Sequence, residues 1–148
     1  MAGDDVVKKL AKLAQLDIDA VRAYEQALEE ITVPSVHASL MSFKRDHEQH
    51  IVDLSREIKA LGGEPPENSP DLKGFLITGF TAIRSLTGTE GALKAMLTNE
   101  KLTTSTYESA LKEDSLLPHV RELVEKNYSD ERRHLAYIEK TLADKPWL

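Results

Sequence analysis

Four segments of the 148-residue chain place ionisable side chains where a helix would otherwise be apolar. Apolar residues recur every three or four positions from Leu10 to Ile31, as on the buried stripe of a helix. Three later segments follow the same spacing. The residues that interrupt the four stripes are Asp17, His47, His50, Glu100, Glu131 and His134. Carboxylates and imidazoles are common ligands of transition metals, so this pattern points to metal chemistry.

Each interruption falls near the middle of its predicted helix. A helix rises about 1.5 Å per residue, so antiparallel helices of similar length bring their midpoints to one level. We therefore expect the six side chains to converge inside the protein. Buried carboxylates that lack a partner are strongly unfavourable, and several together repel each other. Such a cluster must take up protons, pair with cationic imidazoles, or surround one or two divalent cations.

The chain also repeats itself. The segment DIDAVRAYEQAL, from Asp17, aligns with EKLTTSTYESAL, from Glu100, and DHEQHIVDL, from Asp46, aligns with DERRHLAYI, from Asp130. The aligned polar pairs are Asp17 with Glu100, Tyr24 with Tyr107, Asp46 with Asp130, and His50 with His134. Because the aligned positions include the residues that break the stripes, the repeat indicates two similar helical hairpins.

The helical periods and the turn residues predict one all-α domain over residues 1–148. Pro34 and Pro118 suit first turns of helices, Gly62-Gly63 stops a helix, and Thr87-Gly-Thr-Glu90 reads as a capping box. The predicted parts are a helical hairpin at 5–61, a crossover at 62–87 with a short helix, and a hairpin at 88–143. The long crossover allows the second and third long helices to run parallel.

Composition restricts the function and the location. The chain has no cysteine, which excludes thiolate metal sites and a thiol nucleophile. Its net charge of −6 argues against nucleic acid as a partner. We see neither a signal peptide nor an apolar run long enough for a membrane span, so we expect a cytoplasmic protein. The apolar stretch 74–83, GFLITGFTAI, is interpreted as a lid over one bundle end or as a dimer contact.

Three motifs together resemble a known superfamily. Glu131-Arg-Arg-His134 reads Glu-x-x-His, and the single carboxylates Asp17 and Glu100 each precede a tyrosine by seven residues. This pattern resembles the ferritin-like di-metal carboxylate bundles, which include rubrerythrin and bacterioferritin. Nearly the whole chain takes part, and the resemblance is strongest to small bacterial ferritin-like proteins of unassigned function. It implies a four-helix bundle of two antiparallel hairpins joined by a long crossover that contains a short helix.

The resemblance also implies a metal site and its ligands. The implied ligands are Asp17, His47, His50, Glu100, Glu131 and His134, with Tyr24, Tyr107, Asp46 and Asp130 supporting them. Asp46 and Asp130 each precede a histidine by four residues and are expected to orient His50 and His134. The implied metal is iron, as one ion or two, with zinc and manganese as alternatives.

Two positions depart from the family pattern, and the first is Asp17, which is one methylene shorter than the family's glutamate. His47-Glu-Gln-His50 places a histidine where the family has a bridging glutamate, so Glu131 is left as the usual bridge. The lower negative charge stabilises a diferric state less well.

Two functions are compatible with this sequence. The first is a metal-binding protein that handles oxygen, peroxide or metal ions, whether or not it is an enzyme. The second is a non-enzymatic, metal-free bundle that acts through dimerisation or partner binding, as a dimeric interaction protein or a stress-response protein. A homodimer is compatible with both functions.

Overall fold

The structure is a computed structural model that describes residues 2–67, 88–113 and 116–148. Those residues form four long helices: α1 (Ala2–Glu30), α2 (Pro34–Ala60), α3 (Gly88–Leu111) and α4 (Pro118–Asp144). The all-α fold and its two antiparallel hairpins, α1–α2 and α3–α4, are confirmed. The predicted short helix, the stretch 74–83 and the capping residue Thr87 lie outside the described residues.

The helix boundaries follow from local chemistry. Pro34 and Pro118 each occupy the first turn of a helix, where the missing N–H has no partner to lose. After α2, Gly62 adopts a φ of 84°, which glycine reaches without a steric penalty. A Cβ at Gly63 would lie 2.6 Å from Val7 Cγ1, so the absence of a side chain lets this turn approach α1. α1 begins earlier than predicted, which puts Asp4 and Asp5 in its first turn.

Two apolar clusters fill the ends of the bundle. One cluster contains the end of α1 together with the starts of α2 and α3, for example Ala27, Val36 and Leu93. The other joins the start of α1 to the ends of α2 and α3, for example Leu10 and Ile58. α2 and α3 therefore run in the same direction, antiparallel to α1. The polar residues of the stripes lie between the two clusters.

The helices of the described residues also bear on membrane association. None of them combines the length and the apolar character that crossing a bilayer requires.

The packing of the second cluster can be tested with one pair of substitutions. Val124 is fully buried on α4, whereas Val52 on α2 is 51% exposed. Val124→Ala is expected to lower the free energy of unfolding by about 2 kcal/mol, because two buried methyl groups are lost and a cavity remains. The matched change Val52→Ala is expected to shift it by less than about 0.5 kcal/mol. Urea unfolding measures both, and equal losses would contradict the described core.

Candidate metal centre

The structure brings together the six ionisable residues that interrupt the apolar stripes. All six are fully buried, and every helix contributes at least one: Asp17, His47, His50, Glu100, Glu131 and His134. Their nitrogen and oxygen atoms form two groups of four, each compact enough to hold one metal ion. His47 and Glu131 belong to both groups.

The first group, called site A here, consists of Asp17, His47, His50 and Glu131. Asp17 Oδ1 lies 2.6 Å from His47 Nδ1 and 3.0 Å from His50 Nδ1. Glu131 Oε1 lies 3.3 Å from His47 Nδ1 and 3.4 Å from His50 Nδ1. Four potential ligand atoms from three helices thus face one small volume.

The second group, site B, consists of His47, Glu100, Glu131 and His134. Glu100 Oε1 lies 3.0 Å from His47 Nε2 and 3.4 Å from His134 Nδ1. Glu131 Oε2 lies 3.5 Å from His134 Nδ1. Site B therefore uses the other ring nitrogen of His47 and the other carboxylate oxygen of Glu131.

Asp46 and Asp130 hold the outer nitrogens of two histidines. His50 Nε2 lies 2.8 Å from Asp130 Oδ2, and His134 Nε2 lies 2.8 Å from Asp46 Oδ2. Each aspartate thus contacts the histidine of the opposite helix instead of the one four residues along its own. Arg133 donates to Asp46 across the α2–α4 seam at 2.7 Å and to Asp130 on its own helix at 3.3 Å. These bonds leave Nδ1 of each histidine pointing inward.

Two buried tyrosines hold the carboxylates that α1 and α3 contribute. Tyr24 donates its hydroxyl to Glu100 Oε1, and Tyr107 donates to Asp17 Oδ2 at 2.5 Å. Burial, and then the charge of the bonded carboxylate, raise the pKa of each tyrosine well above its ordinary value. Both phenols therefore stay protonated and act as donors.

Two further polar residues touch the cluster and were not predicted as site residues. Thr103 Oγ1 lies 3.1 Å from Glu100 Oε2 and 3.1 Å from Glu131 Oε2. Asn127 Nδ2 donates to the Tyr107 hydroxyl at 3.3 Å. Both stand on the apolar stripes, so a polar residue at a stripe position was the available signal. Arg133 lies on an exposed face and offers no such signal.

The three imidazoles hold protons strongly when no cation is bound. Burial favours a lower pKa for His47, but the charges of Glu131 and Glu100 outweigh it and raise that pKa well above the ordinary value. Burial is likewise outweighed for His50, whose pKa the charge of Asp17 raises to about 11. Burial also favours a lower pKa for His134, but the hydrogen bond to Asp46 and the contacts with Glu100 and Glu131 outweigh it and raise that pKa to about 9.

The carboxylates respond to the same contacts. Burial alone would raise the pKa of Asp17 and Glu100, but the neighbouring histidines lower both. Glu131 differs, because burial and then the charge of Glu100 raise its pKa. Without a cation, the cluster thus balances its carboxylates with imidazolium protons.

The donor atoms fit a transition-metal ion in each group. Glu131 Oε1 and His134 Nδ1 are buried and make no hydrogen bond of standard geometry among the described residues, although each lies 3.3–3.5 Å from ionisable neighbours. Contacts of this length satisfy a buried polar atom poorly. Both face the donor groups of sites A and B, where a cation would bind them. Mixed nitrogen and oxygen donors suit iron, zinc and manganese.

A solved structure shares the fold. The ferritin-like, diiron-carboxylate protein from Bacillus anthracis str. Ames matches with a TM-score of 0.74 and 19% identity. The match covers 96% of this chain and 98% of that one. The two chains therefore share a ferritin-like four-helix fold, as the sequence resemblance implied. A search of curated proteins found no match.

A family match covers most of the chain. Residues 5–113, which include most of α1 and all of α2 and α3, match the family described as Domain of unknown function (DUF2383). That range contains Asp17, His47, His50 and Glu100, and it ends before α4. The chain therefore belongs to the DUF2383 family.

Proposed function

We propose that this protein binds two transition-metal ions in the core of the bundle, one in site A and one in site B. The observation that carries the proposal is the pair of fully buried four-residue donor groups, which share His47 and Glu131. The poorly satisfied atoms Glu131 Oε1 and His134 Nδ1 support it, because a cation would bind both. The diiron-carboxylate protein of the same fold adds support.

The surrounding residues suit the role of a rigid binding site. Tyr24 and Tyr107 hold the carboxylates of Glu100 and Asp17. Asp46 and Asp130 fix the ring orientation of His134 and His50. Hydrogen bonds of this kind hold ligands in place and make imidazoles better donors. The complete burial of the six donors keeps bulk water away from the centre.

Iron is the proposed ion, with zinc and manganese as alternatives. Bound iron would supply redox chemistry towards oxygen or peroxide, and handling these molecules is the proposed role. The competing function is a metal-free bundle, which the hydrogen bonds of His47 to both Asp17 and Glu100 favour. A cytoplasmic location, a homodimer and the absence of a nucleic-acid partner stay predictions.

Elemental analysis tests the proposal. Protein reconstituted with iron(II), zinc or manganese(II) and then desalted is expected to retain close to two ions per chain. The double variant Glu131→Ala, His134→Ala is expected to retain fewer than one, because both sites lose ligands. A matched control, Glu139→Ala with His119→Ala, removes the same residue types from exposed positions of α4 and should retain the wild-type content.

Loss of metal from the double variant must be distinguished from loss of its folded structure. Far-ultraviolet circular dichroism checks the helical content, and Glu131→Gln gives a milder change that keeps the side-chain volume. Wild-type protein that holds no ion, and whose thermal stability ignores all three metals, would contradict metal binding and favour the metal-free bundle.

Metal affinity is expected to rise with pH. The pKa of His50 is about 11 and that of His134 about 9, so both imidazoles hold protons at pH 7 that a metal must displace. Competition from protons weakens as the pH rises, and the affinity should increase about tenfold per pH unit for each displaced proton. Zinc competition titrations at pH 6, 7 and 8 measure this slope. An affinity that is constant over this range would mean that the buried imidazoles are not ligands.

A further inference from the structure

His47 differs from the other two histidines of the cluster in the use of its ring nitrogens. His50 and His134 turn Nδ1 towards the centre, while their Nε2 atoms are held by Asp130 and Asp46. His47 has no such outer partner among the described residues. Its Nδ1 lies 2.6 Å from Asp17 Oδ1 in site A, and its Nε2 lies 3.0 Å from Glu100 Oε1 in site B.

In the internal repeat, His47 is the counterpart of Glu131. The alignment that pairs Asp46 with Asp130 and His50 with His134 also pairs His47 with Glu131. Glu131 presents Oε1 to site A and Oε2 to site B. The two residues therefore occupy equivalent positions between the sites, and each presents one donor atom to either side.

The charge of the cluster is consistent with an anionic form of the His47 ring. Two divalent cations bring four positive charges into a fully buried layer, where an unbalanced charge is strongly unfavourable. The two sites together contain three carboxylates, which supply three negative charges: Asp17, Glu100 and the shared Glu131. Beside the two sites, Asp46, Asp130 and Arg133 contribute one further net negative charge, so the bridge follows from the positions of the two His47 ring nitrogens rather than from the charge count.

We propose that His47 bridges the two metal ions, binding one through Nδ1 and the other through Nε2. The ring loses both N–H protons to solvent as the two ions bind, and becomes an imidazolate. Two side chains would then link the two ions: the His47 ring and the Glu131 carboxylate. This inference rests on the proposed binding of two ions and adds how the two sites are linked.

Stepwise affinities distinguish a bridge from a ligand of one ion. His50 belongs to site A alone and His134 to site B alone. In cobalt(II) titrations followed by calorimetry, His50→Ala and His134→Ala should each weaken one ion at least tenfold and leave the other within threefold. His47→Ala should weaken both ions at least tenfold. If His47→Ala weakens only one ion, as the two controls do, the bridge is excluded.

Magnetic coupling gives a second readout, and it uses a milder variant. In protein loaded with two copper(II) ions, coupling through the ring should reduce the electron paramagnetic resonance intensity below that of two independent spins. His47→Gln keeps a polar side chain and should restore the full intensity, whereas Glu131→Gln should retain most of the coupling. Coupling that survives His47→Gln would overturn the bridge.

The two proposals fail in different ways. Wild-type protein that binds neither cobalt nor copper contradicts the metal centre, and the bridge with it. If the wild-type protein binds two ions that show no magnetic coupling, and the His47→Ala variant loses only one of them, the bridge is contradicted and the metal centre is not.

Discussion

The burial of charge in the middle of the bundle is the constraint on which the rest of the structure depends. Carboxylates and imidazoles from all four helices occupy one layer, closed at both ends by apolar clusters. Water cannot solvate these groups, so each charge must be balanced by a neighbour, a proton or a cation. The fold holds opposite charges within hydrogen-bond distance, as between Asp17 and His47 at 2.6 Å.

The balance extends outwards in two nearly equivalent chains. From site A the contacts lead through His50 to Asp130, and from site B through His134 to Asp46. Arg133 joins the two aspartates at the surface, where its charge lowers the cost of placing them beside buried rings. These contacts fix Nε2 of His50 and of His134 and leave Nδ1 of each ring facing the centre. Because the two hairpins are similar, sites A and B have similar surroundings.

Much of this layer could be predicted from residue spacing. Helical periodicity alone identifies the six ionisable residues on the buried faces, because a stripe position is buried whatever its neighbours are. The internal repeat indicates which residues are equivalent. The crossed pairing of Asp46 with His134 could not be predicted, since it depends on how α2 and α4 rotate against each other. For the same reason, the contacts of Thr103 with two glutamates and of Arg133 with two aspartates required coordinates.

The central claim is that two cations occupy the buried layer, and anomalous diffraction tests it most directly. Crystals grown without chelator from metal-reconstituted protein would be measured at the absorption edge of the added metal. The account predicts two anomalous peaks inside the bundle. One lies within bonding distance of Asp17 and His50, and the other lies within bonding distance of Glu100 and His134. Peaks confined to the surface, or an interior without anomalous signal, would contradict it.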